Sequence, residues 1–145
     1  LNLLCRREHS SQEIAQKLAR RKKLAHFDVT PLIQELLDVG WLCHARFAES
    51  FIRSRRARGQ GPVKIIHELR HRGLKDDEFL LVLEQYDDWD SLAIDLLARK
   101  YASAPENPKQ RAKMQRFLQS RGFNFSSIDK AITNLPKAAD LPQYD

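Results

Sequence analysis

The sequence predicts an all-α fold: three tandem three-helix repeats stacked into an elongated, curved array. Three observations point there. Apolar residues recur at i, i+3, i+4 and i+7, the spacing that gathers them on one face of a helix. Convincing alternation of apolar and polar residues, the mark of a half-buried strand, is missing. Segments of the chain also match one another in register, as stacked repeats do.

The elements follow in order. Leu1, Leu3 and Leu4 open an apolar pattern, so a helix is expected near 1–8. The chain begins inside that pattern at Leu1 rather than at Met, so an upstream segment and an incomplete first repeat are expected. Ser10-Ser11 starts a helix near 11–23, and a third runs near 29–39 up to Gly40. The stripe Phe47, Ala48, Phe51, Ile52 predicts a helix over 44–58. Gly59-Gln60-Gly61-Pro62 then stops one helix and starts the next, because glycine releases the chain and proline fits a first turn. Ile65, Ile66 and Leu69 mark 62–72, which Gly73 ends; Phe79, Val82, Leu83 and Tyr86 mark 76–86. Further helices are expected at 89–102, at 109–121 after Pro105-Glu106-Asn107-Pro108, and at 126–134 beyond Gly122. The tail from Pro136 is Pro-broken and expected to be loosely held.

The internal matches set the repeat. Without gaps, Lys64–Leu83 lies over Lys113–Ile132: Ile65 on Met114, Leu69 on Leu118, Arg72-Gly73-Leu74 on Arg121-Gly122-Phe123, Phe79 on Ile128, Leu83 on Ile132. The preceding helices align from Phe47 and from Leu92, and a looser first copy carries Ile14 and Leu18 at the Ile65 and Leu69 positions, with a longer connection over 22–27. The repeats are thus residues 1–43, 44–88 and 89–135, with a tail at 136–145. Units of about 45 residues bury too little alone and are expected to stack. Trp41 and Trp89 hold matching places before a repeat's first helix and are expected to pack between repeats.

Of the 145 residues, 42% are hydrophobic, enough for a core, and 30% are charged, with a net charge of +6. That balance favours an acidic partner, nucleic acid or protein. Cys5 and Cys43 form no C-x-x-C pair, so a reduced, cytosolic setting is the simpler one. No run approaches the ~18 apolar residues a membrane span needs. The middle helix of each repeat is basic: Lys17, Arg20, Arg21, Lys22 and Lys23 in the first; Arg53, Arg55, Arg56, Arg58, Lys64, Arg70 and Arg72 surrounding the Gly59–Pro62 turn in the second; Lys109, Arg111, Lys113, Arg116 and Arg121 in the third. Acids gather instead between Asp76 and Asp95. Any single run is explained by solvated faces and weak local ion pairs. Recurrence at one place in three repeats points to a basic stripe along one side, suited to phosphates or an acidic groove.

His67-Glu68-Leu69-Arg70-His71 spells the H-E-x-x-H of zinc proteases. Winding the helix from Ile65 at about 100° per residue puts Leu69 at about 40°, but His67 and His71 at about 200° and 240°, beside Lys64. The histidines thus point away from the core, and no histidine follows them to complete a site. The expectation is a polar face without metal. Gly59–Pro62 lacks the Gly-Lys-Ser/Thr ending of a phosphate loop, and Ser50, Asp95 and the histidines form no triad order. No catalytic, metal or cofactor site is expected.

Trp41 to Leu74 resembles the signature region of the RecX family: Arg46-Phe47-Ala48, the Arg53–Arg58 run, the Gly59–Pro62 turn, then Ile65 or Ile66, Glu68-Leu69 and Gly73-Leu74. The repeat plan agrees over about residues 1–135. One departure is Cys43-His44, where family members commonly carry an acidic pair; this bears on a local cap or contact there. The resemblance implies a bacterial, cytoplasmic, non-enzymatic regulator of the RecA recombinase, monomeric and without cofactor. It implies binding to the RecA–DNA filament, contacting RecA and single- or double-stranded DNA, and restraint of filament growth, ATP hydrolysis, strand exchange and LexA co-cleavage. The expected contacts are the cations from Arg20 and Arg21 through Arg53–Arg72 to Lys109–Arg121 named above. An autonomous DNA-binding helical repeat is the alternative.

Overall fold

A computed structural model describes residues 8–20, 28–39 and 42–142. Among these are eight α-helices and no strand: α1 Ser11–Ala19, α2 Thr30–Asp38, α3 His44–Ala57, α4 Pro62–His71, α5 Asp76–Glu84, α6 Trp89–Lys100, α7 Pro108–Ser120 and α8 Phe125–Thr133, followed by a 3-10 turn over Ala138–Asp140. The fold is all-helical, as expected. The helix expected at 1–8 (but for Glu8), Cys5, the end of the helix expected at 11–23, the connection over 22–27, Gly40 and Trp41 lie outside the described residues.

Several helices begin where a side chain caps a free N–H group or a proline fills the first turn. Ser10 Oγ accepts from Glu13 N–H at 3.2 Å, Asn107 Oδ1 from Gln110 N–H at 2.9 Å, and Asn124 Oδ1 from Ser127 N–H at 2.9 Å. Pro108 occupies the first turn of α7. The acidic run Asp76-Asp77-Glu78 forms the first turn of α5, where the helix dipole favours negative charge, and Glu78 Oε1 accepts from Lys75 N–H at 2.8 Å. Expected helix ends ran two residues long at α5 and α6, and α1 ends at Ala19 with Arg20 as its C-cap, short of the expected 23. Tyr101, for example, is already extended.

Packing divides the chain into two compact units, one built from Leu1–Ser54 and His67–Gln85, the other from Arg55–Ile66 and Tyr86–Asp145. The division falls inside α3 and α4, so each of these helices has a part in each unit. In the first unit Ile14, Leu18, Leu36 and Leu42 form one apolar cluster. Phe47, Ala48, Phe51, Leu69, Leu74, Phe79 and Leu83 are buried as well, with the Phe47 and Phe51 rings stacked at 5.7 Å. In the second unit α6, α7 and α8 close around Ala93, Leu97, Met114, Leu118, Phe123, Ile128, Ala131, Ile132 and Leu135. Positions matched between copies share their fate: Ile65 and Met114, Leu69 and Leu118, Leu74 and Phe123, Phe79 and Ile128 are all buried.

In each unit a hydrogen bond joins the start of one helix to the end of another. In the second unit Gly61 N–H donates to Arg121 O at 2.7 Å and Val63 N–H to Gly122 O at 2.9 Å. The orphan donors that start α4 thus meet the orphan acceptors that end α7, positive dipole end to negative. In the first unit Ser10 Oγ donates to Arg72 O at 3.1 Å, so the start of α1 meets the end of α4 in the same sense. Gly73 and Gly122 leave their helices at φ +89° and +93°. The tail is tied at its first residue: Ala104 N–H donates to Pro136 O at 2.8 Å.

One ion pair in the second unit carries a pH prediction. Asp90 accepts from Lys130 Nζ at 2.7 Å and Ser127 Oγ at 2.6 Å. The Lys130 bond first, and then Ser127, hold its carboxyl below the usual carboxylate range. A lowered folded pKa stabilises above the unfolded value and is lost as pH falls through the folded one. Because the pair is largely solvent-exposed, Asp90→Asn is expected to cost under about 1 kcal/mol near neutral pH. The gap to wild type should close as pH falls below the ordinary carboxylate value, about 3.9, and on through the lowered folded one. Urea midpoints of both proteins across that range check it, and a gap unchanged in acid would rule the pair out as its source.

Candidate interaction surface

The fourteen cations expected at a contact surface sort into two groups once placed. Several are engaged inside the chain. Arg56 bonds Asp88 through Nη2, and its guanidinium lies 5.3 Å from the Tyr86 ring centre and 5.7 Å from that of Trp89. Trp89 is therefore a packing residue, stacked obliquely on Tyr86 at 6.0 Å. Arg70 grips both oxygens of Asp76, each at 2.8 Å, a bidentate pair that lowers the Asp76 carboxyl below its ordinary range. Arg72 reaches the buried Glu13 at 2.9 Å and covers the Phe51 ring at 5.0 Å. Arg111 donates to Asp129 at 3.3 Å.

Of the others, six are exposed. Arg20 and Arg53 are exposed on the first unit, Arg58 on the second. Arg55 and Lys64 are half-buried. Arg121 is half-buried, donates to Arg58 O at 3.5 Å and lies 5.6 Å from the Phe117 ring centre. Arg21 lies outside the described residues. The densest outward group is Lys109, Lys113 and Arg116 on α7, all exposed. Their i, i+4, i+7 spacing puts them on one face, opposite the buried Met114 and Leu118. Along the axis they span about 10.5 Å. Arg111 falls on the other side, which explains its engagement with Asp129. Sequence spacing found the basic residues; the acid partners that remove four of them came from other elements.

The sharp motifs resolve on geometry. His67 and His71 are exposed and Leu69 is fully buried, so the histidines lie on the polar face of α4. Among the described residues no group of three or more His, Cys, Asp or Glu is placed to hold a metal ion. In the Gly59–Pro62 turn the amides a phosphate would need are already donated, Gly59 to Arg56 O, Gln60 to Arg55 O and Gly61 to Arg121 O. No helix among the described residues is long and apolar enough to cross a membrane.

One arrangement escaped the sequence. His44 Nε2 lies 2.9 Å from Ser11 Oγ, and Nδ1 faces Glu78, the order of nucleophile, base and acid. Nε2 also accepts the Ser11 backbone N–H at 3.0 Å, a donor in the first turn of α1 that has no acceptor within its own helix. The ring's lone pair is thus committed to a cap, and the trio acts structurally. It also accounts for the Cys43-His44 departure: His44 makes a contact across the first unit. The partners stand 33 and 34 positions away, beyond any local signal.

The structure thus defines a class: an all-helical protein of three-helix units with an outward cationic face on α7. Comparison with known proteins narrows it. Family models described as "RecX, second three-helix domain" and "RecX, third three-helix domain" match residues 44–78 and 87–132. The chain is 42% identical over 135 residues to regulatory protein RecX of Chromohalobacter salexigens, covering 92% of this chain and 88% of that one. It is 43% identical over 133 residues to regulatory protein RecX of Halorhodospira halophila, covering 90% and 82%. The crystal structure of RecX from Lactobacillus salivarius superposes with a TM-score of 0.72 at 22% identity, covering 93% and 90%, a likeness of fold. The chain belongs to the RecX family.

Proposed function

We propose that this protein regulates RecA, mainly as an inhibitor. It binds the RecA–DNA filament as a cytoplasmic monomer and restrains filament growth, ATP hydrolysis, strand exchange and LexA co-cleavage. It works by docking and not by catalysis. Beside family membership, the observation that carries this reading is the face of Lys109, Lys113 and Arg116. Three cations at one-turn spacing with no carboxylate partner among the described residues suit a run of phosphates or an acidic groove wall. Arg53 and Arg58 add outward charge, whereas Arg56, Arg70, Arg72 and Arg111 chiefly hold the fold.

The test follows from that division. Reversing Lys109, Lys113 and Arg116 to Glu is expected to weaken inhibition of the RecA ATPase on single-stranded DNA by at least about tenfold, since close interfacial charges couple by one to several kcal/mol. The helical circular dichroism should be unchanged, because all three side chains are exposed. Wild-type potency in the triple variant would remove the face from the mechanism. An autonomous DNA-binding protein instead predicts tight binding to naked DNA with a steep salt slope. That slope should fall by about 0.9 for each phosphate the variant no longer neutralises.

A further inference from the structure

Four large apolar residues besides the aromatic Phe125 are left exposed among the described ones, and two of the five flank a single feature. Val63 is 53% exposed and Phe125 71% exposed. Val63 donates its N–H to Gly122 O at 2.9 Å, and Phe125 follows Gly122 by three residues at the first position of α8, so both border the α4–α7 seam. Three cations border it too. Lys64 is so close to Gly122 that a Cβ on that glycine would stand 2.3 Å from the Lys64 Cβ. Arg121 precedes Gly122 and donates to Arg58 O at 3.5 Å. None of Arg58, Lys64 and Arg121 has a carboxylate partner among the described residues. At the matched position of the preceding repeat Phe125 is replaced by Asp76, so the repeat does not require an apolar residue there.

We propose that this patch is a protein-docking surface, separate from the phosphate-facing side of α7, and that it takes an acidic protein surface bearing an apolar hollow. An aromatic residue beside arginines is the composition of an interface hot spot, and cations without a carboxylate partner call for acids opposite. Val63 argues against a nucleic acid here. A base stacks on an aromatic ring and gains no comparable stack from an aliphatic side chain. Lys109, Lys113 and Arg116, by contrast, have no strongly exposed apolar residue among them.

The proposal rests on the regulatory reading, in which the acidic surface belongs to the RecA component of the filament. The test uses the full chain with Val63→Ser and Phe125→Ser together, and separately Phe125→Leu. Binding is measured by fluorescence anisotropy to RecA filaments on single-stranded DNA and to the same DNA naked. The double variant is expected to lose at least about tenfold in filament affinity, to keep its naked-DNA affinity, and to keep its helical content. Phe125→Leu, which retains an apolar anchor, should keep most of the filament affinity. Filament affinity unchanged in the double variant overturns the proposal while leaving the regulatory reading intact. An equal loss on naked DNA, with Phe125→Leu as weak as serine, makes Phe125 a base-stacking platform and also overturns it. A wild-type chain that binds no filament overturns both.

Discussion

Gly122→Ala is expected to destabilise the protein by about 3 kcal/mol, and more than the matched substitution Gly73→Ala. Both glycines lie at positive φ, +93° and +89°, so each alanine incurs the roughly 1–2 kcal/mol of a left-handed L-residue. The surroundings then separate them. A Cβ on Gly122 would stand 2.3 Å from the Lys64 Cβ and 2.7 Å from the Lys64 backbone N. Backbone cannot swing aside, and overpacking of this kind adds about 1–3 kcal/mol. Relief would require lifting the start of α4 off the end of α7, which gives up the hydrogen bonds from Gly61 and Val63, each contributing about 1 kcal/mol. On Gly73 the nearest atom is Gln12 Oε1 at 2.2 Å, the far end of a side chain that can rotate. Urea unfolding of the two variants is the measurement, and the thermal midpoint of Gly122→Ala should drop by roughly 6–12 °C. Equal losses at the two positions would show that the seam adds nothing to the cost of positive φ.

Leu69→Ala should cost about 3 kcal/mol, while His67→Ala and His71→Ala each stay within about 0.5 kcal/mol. All three residues belong to the stretch that spells a zinc motif. Leu69 is wholly buried in the first unit, so truncation removes its transfer energy and leaves a cavity. The histidines are exposed on the opposite side of the helix, where substitutions change little. Zinc titration by calorimetry offers an independent check. Stoichiometric binding that raises the unfolding midpoint, and that disappears with either histidine, would reinstate the metal reading.

The polar placement of His67 and His71 was legible, because helical winding from Ile65 and Leu69 is a local property of consecutive residues. The left-handed glycines at 73 and 122 were legible too, since glycine after a periodic run marks a helix end. What the Gly59–Pro62 turn does was not. Its stop-and-start role followed from composition, but the Gly61 amide is satisfied by Arg121 O, and that of Val63, the residue after the turn, by Gly122 O, some sixty positions away. The basic residues were likewise all identified, yet nothing local separated Arg56, bound to Asp88, from Arg58, which faces outward two positions on. The exposure of Phe125 was not legible either, because a single apolar residue at a helix start looks the same whether it is covered or bare.

The sequence alone determined that the fold is all-helical, where most of the described helices lie to within two residues, which residues form much of the core, and which family the chain resembles. Those properties depend on neighbours three and four positions apart, and helical geometry ties such neighbours together before any tertiary contact forms. Tertiary structure decided which cations are tied to Asp88, Asp76, Glu13 and Asp129, that His44 caps α1, and that the end of α7 closes the start of α4. Each of those depends on bringing a donor to an acceptor on another element, at a distance that side-chain spacing along one helix does not encode. The surface left for a partner is what remains after those internal bonds are made.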